Sequence, residues 1–186
     1  MHILKTLSKS LITGIFTLTA LSIFAGDETM PVVQADAQTR AVWQEHQEKF
    51  HFTSFYNLHS CNGIESKVET ILSELGAKDV KARASGCFEA NGNLGKSLRV
   101  RVSFKTLSTS PEAEGEAVAA SFSEVHIRPR HPRGTALGDC QLITEIQDEL
   151  LQYFEHEVIK ENRKCFPGQQ SLGDVDWKLK VLKAKV

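Results

Sequence analysis

The stretch Cys61-Asn62-Gly63-Ile64-Glu65-Ser66-Lys67-Val68-Glu69-Thr70-Ile71-Leu72-Ser73-Glu74-Leu75-Gly76 decides the fold. Ile64, Val68, Ile71, Leu72 and Leu75 recur at i, i+4, i+7, i+8 and i+11, one face of a helical period. Gly76 stands where a C-terminal cap belongs, so an amphipathic helix is expected from about Asn62. On both sides the period changes to two. Upstream, Phe50 and Phe52 alternate with His51 and Thr53, which predicts a strand over about 46–57. Downstream, Val80, Ala82 and Ala84 alternate with Lys81 and Arg83. Further on, Leu98, Val100, Val102 and Phe104 alternate with Arg99, Arg101, Ser103 and Lys105. Both read as half-buried strands, and Asn91-Gly92 between them is hairpin-turn chemistry.

After a Ser-, Pro-, Glu- and Gly-rich stretch at 107–116 the order begins again. A strand is expected around Ala120 to Ile127, a helix from about Gln141 to Phe154, and strands over roughly His156 to Lys164 and from Trp177 to the end. A switch of parity between Val181 and Leu182 predicts a bulge there. Superposing Cys61 on Cys140 brings Ile64 onto Ile143, Ile71 onto Leu150, Leu72 onto Leu151 and Leu75 onto Phe154. Only Val68 against Gln147 breaks the apolar register. The expectation is an α+β fold built as a tandem β-α-β-β duplication. It comprises a largely antiparallel sheet of about six strands with two helices on one face. The domain covers 42–186, with repeats at 42–107 and 117–186.

Four cysteines leave three pairings open by count alone, and the repeat chooses among them. Each first cysteine opens a helix and each second one ends the strand that returns to the helix start. Cys61–Cys87 and Cys140–Cys165 can therefore meet the Cα separation of about 5.5 Å that a disulfide needs. Each bridge closes a loop worth roughly 3.5 kcal/mol in the chain-entropy model.

The N-terminus reads as a secretory signal peptide over 1–25. Lys5 and Lys9 are followed by a charge-free run from Leu11 to Phe24, with Ala25 at the expected cut. That run is short of the roughly 20 residues that span a bilayer, so no membrane span is expected after cleavage. Residues 26–41 read as a flexible leader. Even cysteine usage agrees with an oxidising destination, periplasmic or secreted.

The whole chain has 186 residues, 22 Lys plus Arg against 23 Asp plus Glu, 41% hydrophobic residues and a mean hydropathy of -0.23. This excludes a disordered chain and a polytopic membrane protein. No serine nucleophile elbow, phosphate loop, zinc-protease helix or dinucleotide-binding glycine pattern is present, and no catalytic residue, cofactor or resident metal is expected. His59, Cys61, His126 and His131 form the alternative reading, a small metal-binding or thiol-dependent protein, but their spacing is unspecific.

Charge is distributed unevenly. The polar sides of the expected strands carry Lys81, Arg83, Arg99, Arg101, Lys178 and Lys180, while the helices carry Glu65, Glu69 and Glu74, then Glu145, Asp148 and Glu149. If both helices cover one face, the other is a basic platform, joined by the loop holding Arg128, Arg130 and Arg133. Such a face suits an acidic protein or an anionic envelope component. The plain alternative is that these cations only keep open strands soluble and discourage edge pairing. Nucleic acid is not the expected partner, since no aromatic-interleaved basic motif is present.

Ser60-Cys61-Asn62-Gly63-Ile64-Glu65-Ser66-Lys67-Val68, Leu75-Gly76-Ala77-Lys78-Asp79-Val80-Lys81 and Ser85-Gly86-Cys87 resemble a family of small uncharacterised exported proteins of proteobacteria. The resemblance covers about a third of the chain and implies export without implying an activity. In architecture alone, two disulfide-bearing α+β repeats are similar to the β-lactamase inhibitor protein family, which binds its enzyme with its sheet surface. That similarity implies a binding module.

Overall fold

A computed structural model of the chain describes residues 39–53, 59–88, 95–165 and 175–185. The expected signal peptide at 1–25, the expected leader up to residue 38 and the expected Asn91-Gly92 turn lie outside the described residues. The strands are β1 (Thr39–Thr53), β2 (Lys78–Ser85), β3 (Ser97–Ser108), β4 (Ala117–Ile127), β5 (His156–Arg163) and β6 (Val175–Ala184). The helices are α1 (Cys61–Glu74) and α2 (Cys140–Leu150), and single 3-10 turns flank α2 at Leu137–Asp139 and Leu151–Tyr153. All six strands join in one antiparallel sheet of order β2-β3-β1-β4-β6-β5. Exchanging β1, β2 and β3 for β4, β5 and β6 leaves that order unchanged when read from the other edge.

Within the sheet, among the described residues, the two halves are joined where Thr39–Val42 of β1 pair with Ala117–Ala120 of β4. From there the strands run apart, β1 along β3 and β4 along β6. β1 begins at Thr39, so the strand includes residues assigned above to the leader and starts well before position 46. The reason is this short central ladder, whose residues carry no alternation strong enough to announce a strand.

One face of the sheet lies under both helices. Phe50 and Phe52, Leu98 to Phe104 in alternation, Val125 and Ile127, and Val175 to Val181 in alternation pack there against Ile64, Val68, Ile71 and Leu72 of α1 and Leu142, Ile143 and Ile146 of α2. α1 is bounded by a Ser60 Oγ that accepts the Gly63 N–H at 3.1 Å, and by Gly76 at φ 92°. Ala77 N–H to Leu72 O and Gly76 N–H to Ser73 O complete its C-terminal cap, a left-handed position that favours glycine.

Each helix is tied to its own half by a disulfide. Cys61–Cys87 has a Cα separation of 5.5 Å and Cys140–Cys165 one of 5.8 Å, with each first cysteine at a helix start and each second cysteine just beyond β2 or β5. This is the pairing expected from the repeat.

The opposite face is open and has its own small apolar strip, in which Ala41, Leu107, Ala120 and Leu182 pack with Trp43, Val118 and Ala184. Leu182 belongs to this strip. β4 and β6 pair without a shift from Ala120↔Ala184 to Ile127↔Trp177, so the bulge expected at Val181-Leu182 does not occur. An apolar residue on the open face imitated a change of parity. The register shifts fall instead in the two edge ladders, between Lys78 and Lys81 and between Val158 and Lys160.

The edges are treated differently. At β2, Glu69 Oε1 accepts the Ala82 N–H at 2.9 Å and Glu65 Oε1 accepts the Ala84 N–H at 2.8 Å. These two α1 carboxylates therefore close the edge of the sheet. β5 is exposed along almost its whole length and relies on charges and its register shift to discourage further pairing. Two disulfides fit an extracellular or periplasmic protein. Among the described residues, no helix is long and apolar enough to cross a membrane.

Candidate functional site

Because strand side chains alternate, the pairing register determines which residues stand side by side on the open face. In the N-terminal half three successive rows cross β1, β3 and β2. They are Gln47, Ser103 and Lys81; then Lys49, Arg101 and Arg83; then His51, Arg99 and Ser85. Within a row, neighbouring strands are about 4.8 Å apart, and successive rows follow at about 6.8 Å. Five lysines and arginines thus occupy a patch of roughly 10 by 14 Å between Cα positions, and the rows contain no acid. All five are exposed.

Among the described residues, no carboxylate lies within ion-pair distance of Lys49, Lys81, Arg99 or Arg101. Arg83 approaches Glu65 at 3.6 Å with 78% of its side chain exposed. Like charges directly opposite one another destabilise a sheet, so this arrangement costs the isolated fold stability.

The same face of the C-terminal half is wired differently. Lys178 pairs with Glu124 at 2.7 Å and Lys180 with Glu157 at 3.7 Å. Asp176 is shared between Lys160 and the His126 Nε2, the latter at 2.6 Å. The Lys160 ammonium, aided by His126, holds the Asp176 carboxyl below its usual range, and Lys178 does the same for Glu124. Lys178 and Lys180 therefore belong to a neutralised surface.

Arg128, Arg130 and Arg133 are exposed on the turn after β4, where Arg128 and His131 bond to each other through their backbones. They do not join the cationic rows. Counted from the Thr39↔Ala120 pair, Lys49 lies along β1 in one direction and Arg128 just beyond β4 in the other. About 18 residue steps of strand, ten along β1 from Thr39 to Lys49 and eight along β4 from Ala120 to Arg128, separate the two groups. The expected single basic platform is thus two separate cationic regions with a compensated sheet between them. The physical reason is the antiparallel stagger of β1 on β4, which sends the two halves in opposite directions.

Lys49 and His51 are members of the rows that the sequence reading passed over. The signal was available: they share parity with Thr53, opposite to the buried Phe50 and Phe52. Lys49, Lys81, Arg83, Arg101, Gln47 and Ser103 line an open cleft of about 510 Å³. Glu48 also reaches its wall, but it accepts a hydrogen bond from the Tyr153 hydroxyl, which raises the phenol pKa.

The residues of the alternative reading are used otherwise. Cys61 is in a disulfide, and there are no free cysteines. His59 is buried against Phe52, and burial, with nearby Lys67, pushes its pKa down. His126 is held by Asp176, with the His131 ring 6.4 Å away between centroids. Among the described residues, no group of three His, Cys, Asp or Glu side chains is arranged to hold a metal ion. His46 is packed between Tyr153 and Phe104 and pairs with Thr106 Oγ1 at 2.8 Å.

No family model, curated protein or solved structure matches the chain.

Proposed function

We propose that this is an exported, non-enzymatic binding protein of the bacterial cell envelope, periplasmic or secreted, which docks an anionic partner on the cationic rows of its N-terminal half. The observation that carries the reading is the contrast between two halves of one face. Lys178, Lys180 and Lys160 each have an acid, whereas among the described residues Lys49, Lys81, Arg99 and Arg101 have none within ion-pair distance and Arg83 alone of the rows approaches one. A surface shaped only for solubility intersperses its charges, as the C-terminal half does. Clustered cations on a flat, water-exposed face raise the local concentration of an anion and speed its encounter.

The charge-free run behind Lys5 and Lys9 supports export, and both disulfides suit an oxidising compartment. A duplicated origin is supported by the interchangeable strand order and by the matching positions of the two bridges. On this reading one copy gained the uncompensated rows while the other kept its acids.

The test is retention of the exported, purified protein on immobilised heparin and on polyaspartate at low salt. The wild type is expected to be retained and to elute with added salt, and Lys49→Glu/Arg101→Glu is expected to flow through. Lys178→Glu/Lys180→Glu, placed on the compensated half, is expected to elute close to wild type. Flow-through of the wild type on both media, or equal loss in the two double variants, would falsify the reading.

A further inference from the structure

The cationic rows are not uniform in height. On the open face of β3, Ser103 is the short side chain between Arg101 and Lys105, and Gln47 and Lys81 flank it on β1 and β2. Lys105 is drawn away by Asp79 at 2.8 Å. Ser103 is therefore the floor of a pit, and the adjoining row of Lys49, Arg101 and Arg83 forms its cationic wall. Resting on the binding reading above, we infer that this pit seats a tetrahedral oxyanion, the phosphate or sulfate ester group of a larger ligand.

The chemistry favours that class over a lone carboxylate. The Arg101 guanidinium fork, with no acid of the described residues in ion-pair distance, is able to give two parallel N–H bonds to one oxyanion, and Arg83 on the directly paired position, whose guanidinium donates to Ala82 O at 3.1 Å, adds a second positive charge. Lys49 and Lys81 add point charges from either side. The Ser103 hydroxyl and the Gln47 amide supply neutral donors from below. Four cations and two neutral donors match a tetrahedral anionic group, which offers acceptor oxygens in more directions than a planar carboxylate. The cleft is open to solvent, so the rest of the ligand projects outward, where the row of His51 and Arg99 continues the cationic surface.

The experiment titrates the ¹⁵N-labelled, disulfide-intact protein with inorganic phosphate and, separately, with a heparin tetrasaccharide. Saturable shifts are expected at Ser103, the Gln47 side-chain amide and the Arg101 Nε–H. Ser103→Leu fills the pit without changing charge and is expected to weaken phosphate binding about tenfold, since it removes a donor and blocks approach. Gln47→Leu is the second charge-neutral variant and is expected to weaken it less. Retention on heparin at low salt is expected to survive in both.

Non-saturating shifts, or a Ser103→Leu variant that binds phosphate as tightly as wild type, would overturn the inference. Heparin retention would then still stand for the broader reading. Loss of wild-type retention itself sinks both. Pelleting with vesicles of phosphatidylcholine containing phosphatidylglycerol, reversed by phosphate, identifies a lipid headgroup as the source. Saturable tetrasaccharide binding without pelleting identifies a soluble ester.

Discussion

Glu69 offers the sharpest test of how the sheet is closed. Its carboxylate accepts the N–H of Ala82, whose residue is fully buried, and its neighbour Glu65 does the same for half-buried Ala84. Glu69→Ala removes a charge-assisted hydrogen bond and leaves a backbone donor where water reaches it poorly. Those effects together amount to about 2 kcal/mol. Glu65→Ala costs less, about 1 kcal/mol, because water can replace the carboxylate at Ala84. Glu69→Gln keeps an oxygen acceptor at the same reach and should lose well under half of the alanine effect.

With a urea slope of about 2 kcal/mol per molar for a domain of this size, Glu69→Ala is expected to lower the midpoint by about 1 M. Hydrogen exchange at the Ala82 amide should quicken in the same variant and stay slow in Glu69→Gln. The uncovered β2 edge should also promote concentration-dependent association in the double alanine variant. A Glu69→Ala midpoint within about 0.25 M of wild type would refute the reasoning, as would equal damage from alanine and glutamine. Either result would return the two glutamates to an ordinary solvated helix face.

Two further expectations concern the interior. Lys67 Nζ meets the fully buried Asp139 carboxylate at 2.6 Å and links α1 to the start of α2, so Lys67→Met should cost about 3 kcal/mol in urea unfolding. Adding Asp139→Asn should restore a good part of that, and a single-variant loss below about 1 kcal/mol would refute a structural role for the pair. His59 and His46 are both held below the usual histidine range, chiefly by burial. The unfolded chain therefore takes up protons first as pH falls, and the stability they contribute is present above about pH 6.5 and lost progressively below it. Thermal unfolding from pH 7.5 to 5 should show this decline, and His59→Gln/His46→Gln should flatten it; an unchanged slope would refute the assignment.

Periodicity and spacing alone determined the element types, the two helices with their buried stripes, and both disulfides. Ile64, Val68, Ile71 and Leu72 are buried where the helical period put them, and the Leu98 to Phe104 alternation points at the helices as its period of two required. These are local properties, because each element must bury one face whatever its neighbours are. Which side chains stand beside one another across strands is different. Lys49, Arg101 and Arg83 lie far apart in the chain, and their row exists only because the β1, β3 and β2 registers align them.

The same holds for charges that cancel. Lys178 looks as cationic in the sequence as Arg101 does, but pairing places Glu124 within reach of one and no acid of the described residues beside the other. Glu65 and Glu69 likewise read as surface acids until the neighbouring strand edge supplies two amides. Leu182 read as a bulge until the open face supplied Ala41, Leu107 and Ala120 for it to pack against. Hydrophobic burial is written along each segment, so the sequence carries it. Electrostatic compensation and edge closure are written between segments, so only register and topology decide them.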